Sequence, residues 1–355
     1  MGYNMEKCDV KKMTYHVTCN TDDNYAQHCC AMLCSLFENN KGYVFHVHVL
    51  THNLSHDNTE QIKGLATRYD SYCTIYEVDE SRLEGVKFRT ERPLTKAAYY
   101  RILLPEILDE KIEKVLYLDC DMIVSGTVEE LYNLELDQYA LAATLDCMPF
   151  NSIHRKQLQT EADERTFCSG IMLINLNYWR ENNAIQKLLD FSIKDRKPVF
   201  LHDQDSLNYV FKKKWFLLPP KWNKPSLSYL PAIDGVSYFD IYEYVYQPKV
   251  IHFSSDAKPW FNISFPYSKL YRFYLNKSGF SNPQYTKISW DKRLKFIFYN
   301  IKYNIRKYIL PFIPTIVIIL LLDIAKIFRL CFSLQKKQKM RDFILKESIK
   351  NFKLK

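Results

Sequence analysis

The segment 114–124, with the sequence KVLYLDCDMIV, constrains the fold more than any other stretch of the chain. Residues 115–118 are apolar on both faces, which is typical of a strand buried inside a parallel sheet. Asp119 and Asp121 follow directly, and residues two apart in an extended chain point to the same side. Because ligand sites of open α/β sheets lie beyond the carboxyl ends of the strands, both carboxylates can reach one divalent cation there. An isolated Asp-x-Asp also occurs in capped turns and solvated loops, so other segments must decide between these interpretations.

The N-terminal part of the chain has the pattern of a nucleotide-binding βα unit. The sequence predicts a strand at 14–18, a polar turn at 19–25 and a helix at 26–37. The alternative for the turn is an Asx-rich helix N-cap. The turn contains no Gly-rich loop, which argues against a dinucleotide fold of the dehydrogenase type.

Strands and helices continue to alternate along the chain. The periodicity predicts further strands at 43–50, 73–78 and 141–146, and helices at 57–69 and 95–104, the last of these broken at Pro105. His46 and His48 alternate with apolar residues in the first of these strands. We interpret them as partly exposed strand residues rather than metal ligands.

Three later segments combine apolar runs with polar side chains. They are FCSGIMLINL at 167–176, LHDQDSLN at 201–208 and VIHFSSDAKPW at 250–260. Acidic residues like those of the second segment also favour an ordinary helix N-terminus, because the helix dipole stabilises negative charge there. The local spacing of that segment alone leaves both interpretations open.

Taken in order, these segments and the Asp-x-Asp resemble glycosyltransferase family 8, the retaining enzymes that use nucleotide sugars and include lipopolysaccharide galactosyl- and glucosyltransferases. The resemblance covers residues 14–267. It implies a GT-A-type α/β fold with a mostly parallel central sheet. It also implies transfer of glucose or galactose from a UDP-sugar to a saccharide acceptor with an α-linkage. We expect that acceptor to be a lipid-linked cell-surface glycan, and we expect no nucleic-acid partner.

The resemblance implies a metal site and a phosphate ligand. Asp119, Asp121 and His252 would hold Mn²⁺ or Mg²⁺, and neutral imidazole suits a borderline ion such as manganese. Lys258 would bind the diphosphate. Ser255 stands where the family usually has glycine, so the backbone is expected to approach the phosphate less closely.

The resemblance also assigns the nucleoside side of the donor. Asp22 would bond the uracil edge, Asn24 would face the ribose or phosphate, and Tyr25 would stack on the base. Arg101 would face the donor phosphates and sugar, although a surface helix cation is the alternative.

Four residues are assigned by the same resemblance to the sugar and the reaction. Asp146 would contact hydroxyls of the donor sugar, and Cys168 stands where an Asn usually bonds that sugar. A thiol is a poor hydrogen-bonding group, so the identity of the sugar is open. Gln204 would lie near the reacting carbon and Asp203 near the sugar and acceptor. Because an amide is a weak nucleophile, we expect front-face attack, with the leaving phosphate accepting the acceptor's proton.

Two other classes of protein are alternatives. The first is a hydrolase, either a metal-dependent nucleotide-sugar hydrolase or a glycoside hydrolase. A glycoside hydrolase would use two carboxyl groups around the bond, one of them as proton donor. Asp203 and Asp205 could imitate that pair, but the metal and diphosphate groups would then be idle. A non-enzymatic, membrane-associated nucleotide-binding protein would account for the C-terminal tail but not for the ordered polar segments.

The tail differs in charge from the rest of the chain. Residues 285–355 contain 17 Lys+Arg and 4 Asp+Glu, a net charge of +13, whereas the remainder has a net charge of −4. We therefore predict a catalytic domain at 1–284 and a helical, basic membrane-attachment tail at 285–355.

Apolar residues in the tail follow a helical period. Trp290, Leu294, Ile297 and Phe298 begin a stripe that continues through 308, and residues 308–322 are almost wholly apolar. About 20 such residues are needed to span a bilayer, so we expect an interfacial anchor on an anionic leaflet. A helix packed on the enzyme or on a dimer partner is the alternative.

Targeting signals and cysteines suggest the compartment. The N-terminal residues 1–12 are polar and lack the apolar region of a secretory signal. The ten cysteines include no Cys-x-x-Cys pair, which favours buried free thiols in a reducing compartment. We expect a cytoplasmic protein on the inner face of the cell membrane.

Overall fold

The computed structural model describes residues 13–86, 96–146, 155, 158–161, 164–193, 201, 203–228, 237–261 and 266–309. Its contacts divide the chain into two units, Met1–Asn300 and Ile301–Lys355. The predicted domain boundary at 284/285 stays a prediction. The predicted apolar stretch 308–322 lies almost wholly outside the described residues.

In the described ranges, ten strands form two sheets. The strands are β1 (Thr14–Asn20), β2 (Val44–Thr51), β3 (Tyr72–Glu77), β4 (Lys114–Leu118), β5 (Met122–Val124), β6 (Leu141–Leu145), β7 (Phe167–Asn175), β8 (Trp215–Leu218), β9 (Lys224–Pro225) and β10 (Val250–His252). The large sheet has the order β3-β2-β1-β4-β7-β6-β8, and the small sheet has the order β5-β10-β9.

The α-helices follow the strands closely in sequence. They are α1 (Ala26–Glu38), α2 (His56–Arg68), α3 (Leu104–Ile107), α4 (Glu129–Tyr132), α5 (Leu176–Glu181), α6 (Ala184–Ile193), α7 (Asp203–Val210), α8 (Tyr238–Tyr246), α9 (Ser268–Ser278) and α10 (Trp290–Ile309). Short 3-10 helices cover Glu80–Leu83, Lys96–Leu103 and Pro220–Trp222.

The large sheet is mostly parallel, as predicted. β3, β2, β1 and β4 run parallel to one another, and β8 runs parallel to β6. Each face of the sheet carries its own buried apolar cluster. One cluster contains Val17, Val47 and Leu33 of α1, and the other contains Tyr99, Ile174 and Leu207. The sheet is therefore the central layer of the fold, and its central strands β4 and β7 are apolar on both sides because both of their faces are covered.

Strand β7 breaks the parallel order and thereby helps to build the site. It runs antiparallel to both β4 and β6. The Asp119 N–H donates to Gly170 O over 2.9 Å, so the start of β7 lies against the end of β4. In the small sheet, β10 pairs antiparallel with β5 and sets His252 opposite Met122. Two antiparallel pairings thus bring distant segments to the carboxyl end of β4.

The segment before β4 differs from the prediction. Residues 96–103 form a 3-10 helix, and Pro105 lies in the first turn of α3 instead of breaking a longer helix. Proline is accepted there because a first-turn N–H has no partner within the helix. The predicted break at Pro105 was therefore wrong, since the proline marks a helix start.

Helix α10 confirms the helical prediction for the start of the tail. Phe296 is buried and stacks on Phe261 at 5.9 Å between ring centroids, whereas the predicted stripe residues Trp290, Leu294 and Phe298 are exposed. Within the described ranges, the structure contains no helix with the length and apolar character needed to cross a bilayer.

Candidate active site

Two carboxylates and one imidazole meet at the end of β4. One ligand atom each from Asp119, Asp121 and His252 lies within 4.8 Å of the other two. His252 Nε2 is 3.3 Å from Asp121 Oδ1 and 3.9 Å from Asp119 Oδ2. Two oxygen donors and one imidazole nitrogen fit a hard or borderline divalent cation. The structure therefore brings together the three residues that the sequence predicts as metal ligands.

The orientation of His252 is fixed from both sides. Its Nδ1 lies 3.0 Å from Asn223 Oδ1, so Nε2 is the nitrogen that faces the carboxylates. Gly170 packs directly against the ring: a Cβ at that position would be 2.5 Å from His252 Cε1 and 2.9 Å from Asp119 Oδ2. Such outer contacts orient metal-ligating histidines in general.

Local positive charges neutralise the two carboxylates. Burial alone would lower the pKa of His252, but the Asp121 carboxylate and hydrogen bonds with Asp121 and Cys168 raise it to about 10. Burial alone would raise the pKa of Asp121. The positive charges of Lys258 and His252 have the larger effect and hold this pKa well below its usual range. Lys258 Nζ donates to Asp121 Oδ2 over 2.7 Å and to Phe253 O over 2.7 Å. The site is therefore built to hold anionic oxygens beside concentrated positive charge.

Arg101 lies under the site. It is only 4% exposed, and its guanidinium donates to Asp119 Oδ1 over 3.0 Å and to Ser169 O over 2.7 Å. Its Nε also pairs with Asp203 Oδ2 at 3.1 Å. Arg101 is thus not the surface cation of the alternative interpretation. Its polar contacts in the structure are with carboxylates and carbonyls of the protein, and its predicted contact with donor phosphates stays a prediction.

Segment 201–208 contributes Asp203, which is buried, and Gln204, which is half-buried. Burial raises the pKa of Asp203 to about 6, and Arg101 opposes this rise. Gln204 Oε1 accepts the Ser169 N–H over 2.9 Å, and Gln204 Nε2 donates to Asp146 Oδ2 over 2.8 Å. Gln204 and Asp146, which are predicted to face the sugar, are therefore neighbours.

The predicted nucleoside-binding turn lies at the start of α1. Asp22 Oδ1 accepts the Tyr25 N–H over 2.9 Å within the turn before α1, whereas Tyr25, the N-cap residue of α1, has no side-chain capping bond; Asn24 is exposed. Tyr25 meets Trp260 edge-on at 5.8 Å, and burial and the nearby Asp121 raise its pKa. The hydrogen bond from the Tyr25 N–H engages one oxygen of Asp22, and the predicted contact of Asp22 with uracil stays a prediction.

Several residues around the site had no role in the sequence-based prediction. Asn223 and Gly170 orient His252, and Tyr117 donates its hydroxyl to Asp119 Oδ1 over 2.8 Å. His28 stacks on Trp260 at 3.6 Å between ring centroids. Gly170 could have been found from its place in the Cys-Ser-Gly motif, because a glycine beside polar site residues suggests close packing. Asn223 and Tyr117 have no such signal.

This arrangement belongs to a known class of fold. The crystal structure of the galactosyltransferase LgtC in complex with donor and acceptor sugar analogs resembles this chain with a TM-score of 0.67 at 22% identity. The match covers 80% of this chain and 100% of that chain. The fold is therefore of the GT-A type.

Sequence comparison gives the family. Residues 16–264 match the family described as Glycosyl transferase family 8. General stress protein A of Bacillus subtilis (strain 168) is 29% identical over 272 residues, which cover 74% of this chain and 93% of the relative. A lipopolysaccharide 1,2-glucosyltransferase of Escherichia coli is 28% identical over 340 residues, which cover 85% and 95% of the two chains. The chain belongs to glycosyltransferase family 8.

We predict that Gly170→Ala damages the metal site and leaves the fold intact. The added Cβ would push on the buried ring of His252 and on Asp119. Overpacking typically costs about 1–3 kcal/mol, so Mn²⁺ binding measured by calorimetry should weaken about 10–100-fold.

Gly64→Ala is the matched control, because a Cβ at Gly64 would meet no atom within 4 Å. Both variants should keep the far-ultraviolet circular dichroism of the native protein. Equal Mn²⁺ affinity in the two variants would contradict the close-packing argument.

Proposed function

We propose that this protein transfers a hexose from a UDP-sugar to a saccharide acceptor with retention of configuration at the anomeric carbon. The observation that carries the proposal is the meeting of Asp119, Asp121 and His252 next to Lys258, in a chain of family 8. Breaking the bond between sugar and phosphate leaves a diphosphate with growing negative charge. Fixed positive groups in a partly buried site stabilise that charge most in the transition state.

The metal and the lysine would share the diphosphate. A Mn²⁺ or Mg²⁺ ion held by Asp119, Asp121 and His252 would supply electrostatic stabilisation of the leaving group. Lys258 is half-buried and ion-paired with Asp121. The Lys258 ammonium would bind a phosphate oxygen of the donor. Asp22, Asn24 and Tyr25 would bind the uridine.

Gln204 supports a front-face route to retention. Its amide oxygen accepts the Ser169 N–H and lies 3.4 Å from Ser169 Oγ, and its amide nitrogen donates to Asp146. An amide oxygen engaged in this way is a poor nucleophile. Gln204 would therefore orient the sugar together with Asp146, and the leaving phosphate would accept the proton of the attacking hydroxyl.

The positions of Asp203 and Asp205 argue against the hydrolase alternative. Asp203 and Asp205 are 4% and 1% exposed, and Asp203 is paired with buried Arg101. Asp205 Oδ2 accepts the Leu201 N–H over 3.0 Å. A glycosidase needs two carboxyl groups that face the bond to be cleaved. These two carboxylates instead stabilise the start of α7 and the residues beneath the site.

A lipid-linked acceptor at the cytoplasmic membrane face fits the relatives and the tail. One relative is a lipopolysaccharide 1,2-glucosyltransferase, and the tail has a net charge of +13. Trp290, Leu294 and Phe298 recur at helical spacing on α10 and are 74%, 63% and 65% exposed. An exposed apolar face on a basic helix is the pattern of a peripheral membrane anchor. An enzyme held there would meet lipid-linked acceptors at high local concentration.

We predict that UDP is released from UDP-glucose or UDP-galactose only when Mn²⁺ or Mg²⁺ and an acceptor are present. Asp121→Asn should reduce the rate about a hundredfold or more, because it removes an anionic ligand at the site of developing charge. The measurement is UDP release across a panel of UDP-sugars.

Asp256→Asn is the matched control, since Asp256 is an exposed carboxylate two residues from Lys258. It should keep the native rate. Metal-independent release in the native protein would overturn the metal proposal, and equal release with water as the only acceptor would favour the hydrolase.

We predict that Cys168→Asn changes the choice of donor sugar more than the affinity for UDP. Cys168 lies beside His252, next to the predicted sugar site, and a new amide can pair with a sugar hydroxyl that a thiol serves poorly. The ratio of the kcat/KM values for UDP-glucose and UDP-galactose should change by a factor that corresponds to roughly 1–3 kcal/mol. A large loss of UDP affinity with an unchanged sugar preference would contradict this role.

We predict that the full chain binds vesicles containing anionic lipid. Each basic residue near such a surface contributes about 1 kcal/mol, and salt screens this attraction but not apolar insertion. High salt should therefore release only part of the protein, and detergent should release all of it.

Phe298→Ser should weaken the salt-resistant part of vesicle binding. Phe239→Ser is the matched control, because Phe239 is also 65% exposed but lies on α8, outside the basic tail. Sedimentation with vesicles is the measurement. The proposal fails if the native chain stays in the supernatant at low salt.

A further inference from the structure

Three histidines meet on one face of the large sheet, away from the active site. His16 lies on β1, and His46 and His48 lie on β2. The parallel register sets His16 beside His46 and Thr18 beside His48. Because side chains alternate between faces, the three imidazoles emerge opposite Val17 and Val47, whose side chains pack in the core with α1.

The ring nitrogens are close enough to share one ion. One nitrogen from each ring lies within 4.8 Å of those of the other two, and His16 Nδ1 is 2.9 Å from His48 Nε2. A bound cation would replace the proton that these two nitrogens share. His48 is fully buried, while His16 and His46 are half-buried, so the cluster has an open side toward solvent.

Hydroxyl groups on β3 hold two of the rings. Tyr76 OH is 3.1 Å from His48 Nδ1, and Thr74 Oγ1 is 2.8 Å from His46 Nε2. Such outer partners fix the tautomer and orientation of metal-binding histidines. Of the four ring nitrogens of His46 and His48, the two that have no contact with a β3 hydroxyl group are His46 Nδ1 and His48 Nε2.

The electrostatic state of the cluster leaves lone pairs available. Burial, followed by the neighbouring imidazoles, lowers the pKa of His48 to about 3. Burial also lowers the pKa values of His16 and His46. The rings are therefore neutral at pH 7, and a neutral imidazole is the form that binds a metal.

We propose that His16, His46 and His48 form a second cation site that takes a borderline transition-metal ion such as Zn²⁺. Three imidazoles without a carboxylate select zinc, copper or nickel over magnesium and manganese. The oxygen-rich active site has the opposite preference. The parallel register of β1 with β4 places His16 about four residues, or about 13 Å, before Asp119 along the sheet. The two sites are therefore separate.

The test measures Zn²⁺ binding at pH 7.5 by equilibrium dialysis, first to the Asp121→Asn variant of the full chain and then to double variants that also carry a change in the histidine cluster. Asp121→Asn should keep one tight Zn²⁺ ion, because the histidine cluster is untouched. His16→Gln, combined with Asp121→Asn, should weaken that ion by at least about 100-fold, since even loss of an outer partner costs 10–100-fold. Tyr76→Phe in the same background should weaken it about 10–100-fold.

His56→Gln is the matched control, because His56 is an exposed histidine on α2 outside the cluster. Cobalt(II) spectra then identify the ligands of the bound ion. Nitrogen-only tetrahedral bands that disappear in the His16→Gln background are expected. A thiolate charge-transfer band would place the ion on the buried Cys19, Cys29 and Cys120 cluster and overturn the proposal. Equal Zn²⁺ affinity with and without His16 would overturn it as well.

Discussion

The ion pairs of Arg101 are the interactions on which the active site depends. A single buried guanidinium joins Asp119 after β4, the Ser169 carbonyl of β7 and Asp203 at the start of α7, and it stacks on the Tyr117 ring at 4.0 Å. Buried carboxylates are costly unless a partner compensates them. Arg101 compensates the buried Asp203 carboxylate and the half-buried Asp119 carboxylate, and it fixes the distance between three elements. The polar residues of the site that lie over Arg101 are consequently held in fixed positions.

Much of the fold could be predicted because its local patterns agree with its tertiary structure. The strands before β4 and helices α1 and α2 lie within one or two residues of the predicted ranges, and the parallel sheet follows from their alternation. The antiparallel course of β7 could not be predicted, since an apolar strand buried on both faces has no sequence signal for direction. Pro105 was misinterpreted because proline both ends and begins helices.

The candidate site was predictable in its residues but less so in their environment. The predicted ligands Asp119, Asp121 and His252 follow from motifs that resemble those of the family, and the structure brings these side chains together. The burial of Arg101 and Asp203 depends on a pairing between segments about 100 residues apart, which no local pattern encodes. The interpretation of His46 and His48 as partly exposed strand residues was wrong for His48, which is fully buried, and it did not include the cluster with His16. Alternation places His46 and His48 on one face, but the approach of His16 requires knowledge that β1 is the neighbouring strand.

The order of the elements along the chain also has a consequence for synthesis. The unit β1-α1-β2-α2-β3 is contiguous and ends at Glu77, whereas His252 and Lys258 lie near the end of the catalytic fold. A ribosome adds about 5–20 residues per second, so the roughly 180 residues between Glu77 and Lys258 take about 10–40 s to appear. During that interval the first strands can pair while the Asp119 and Asp121 carboxylates still lack their histidine and lysine. The emerging polypeptide therefore acquires its sheet before it acquires a complete site, and a truncated translation product would carry the scaffold without the means of catalysis.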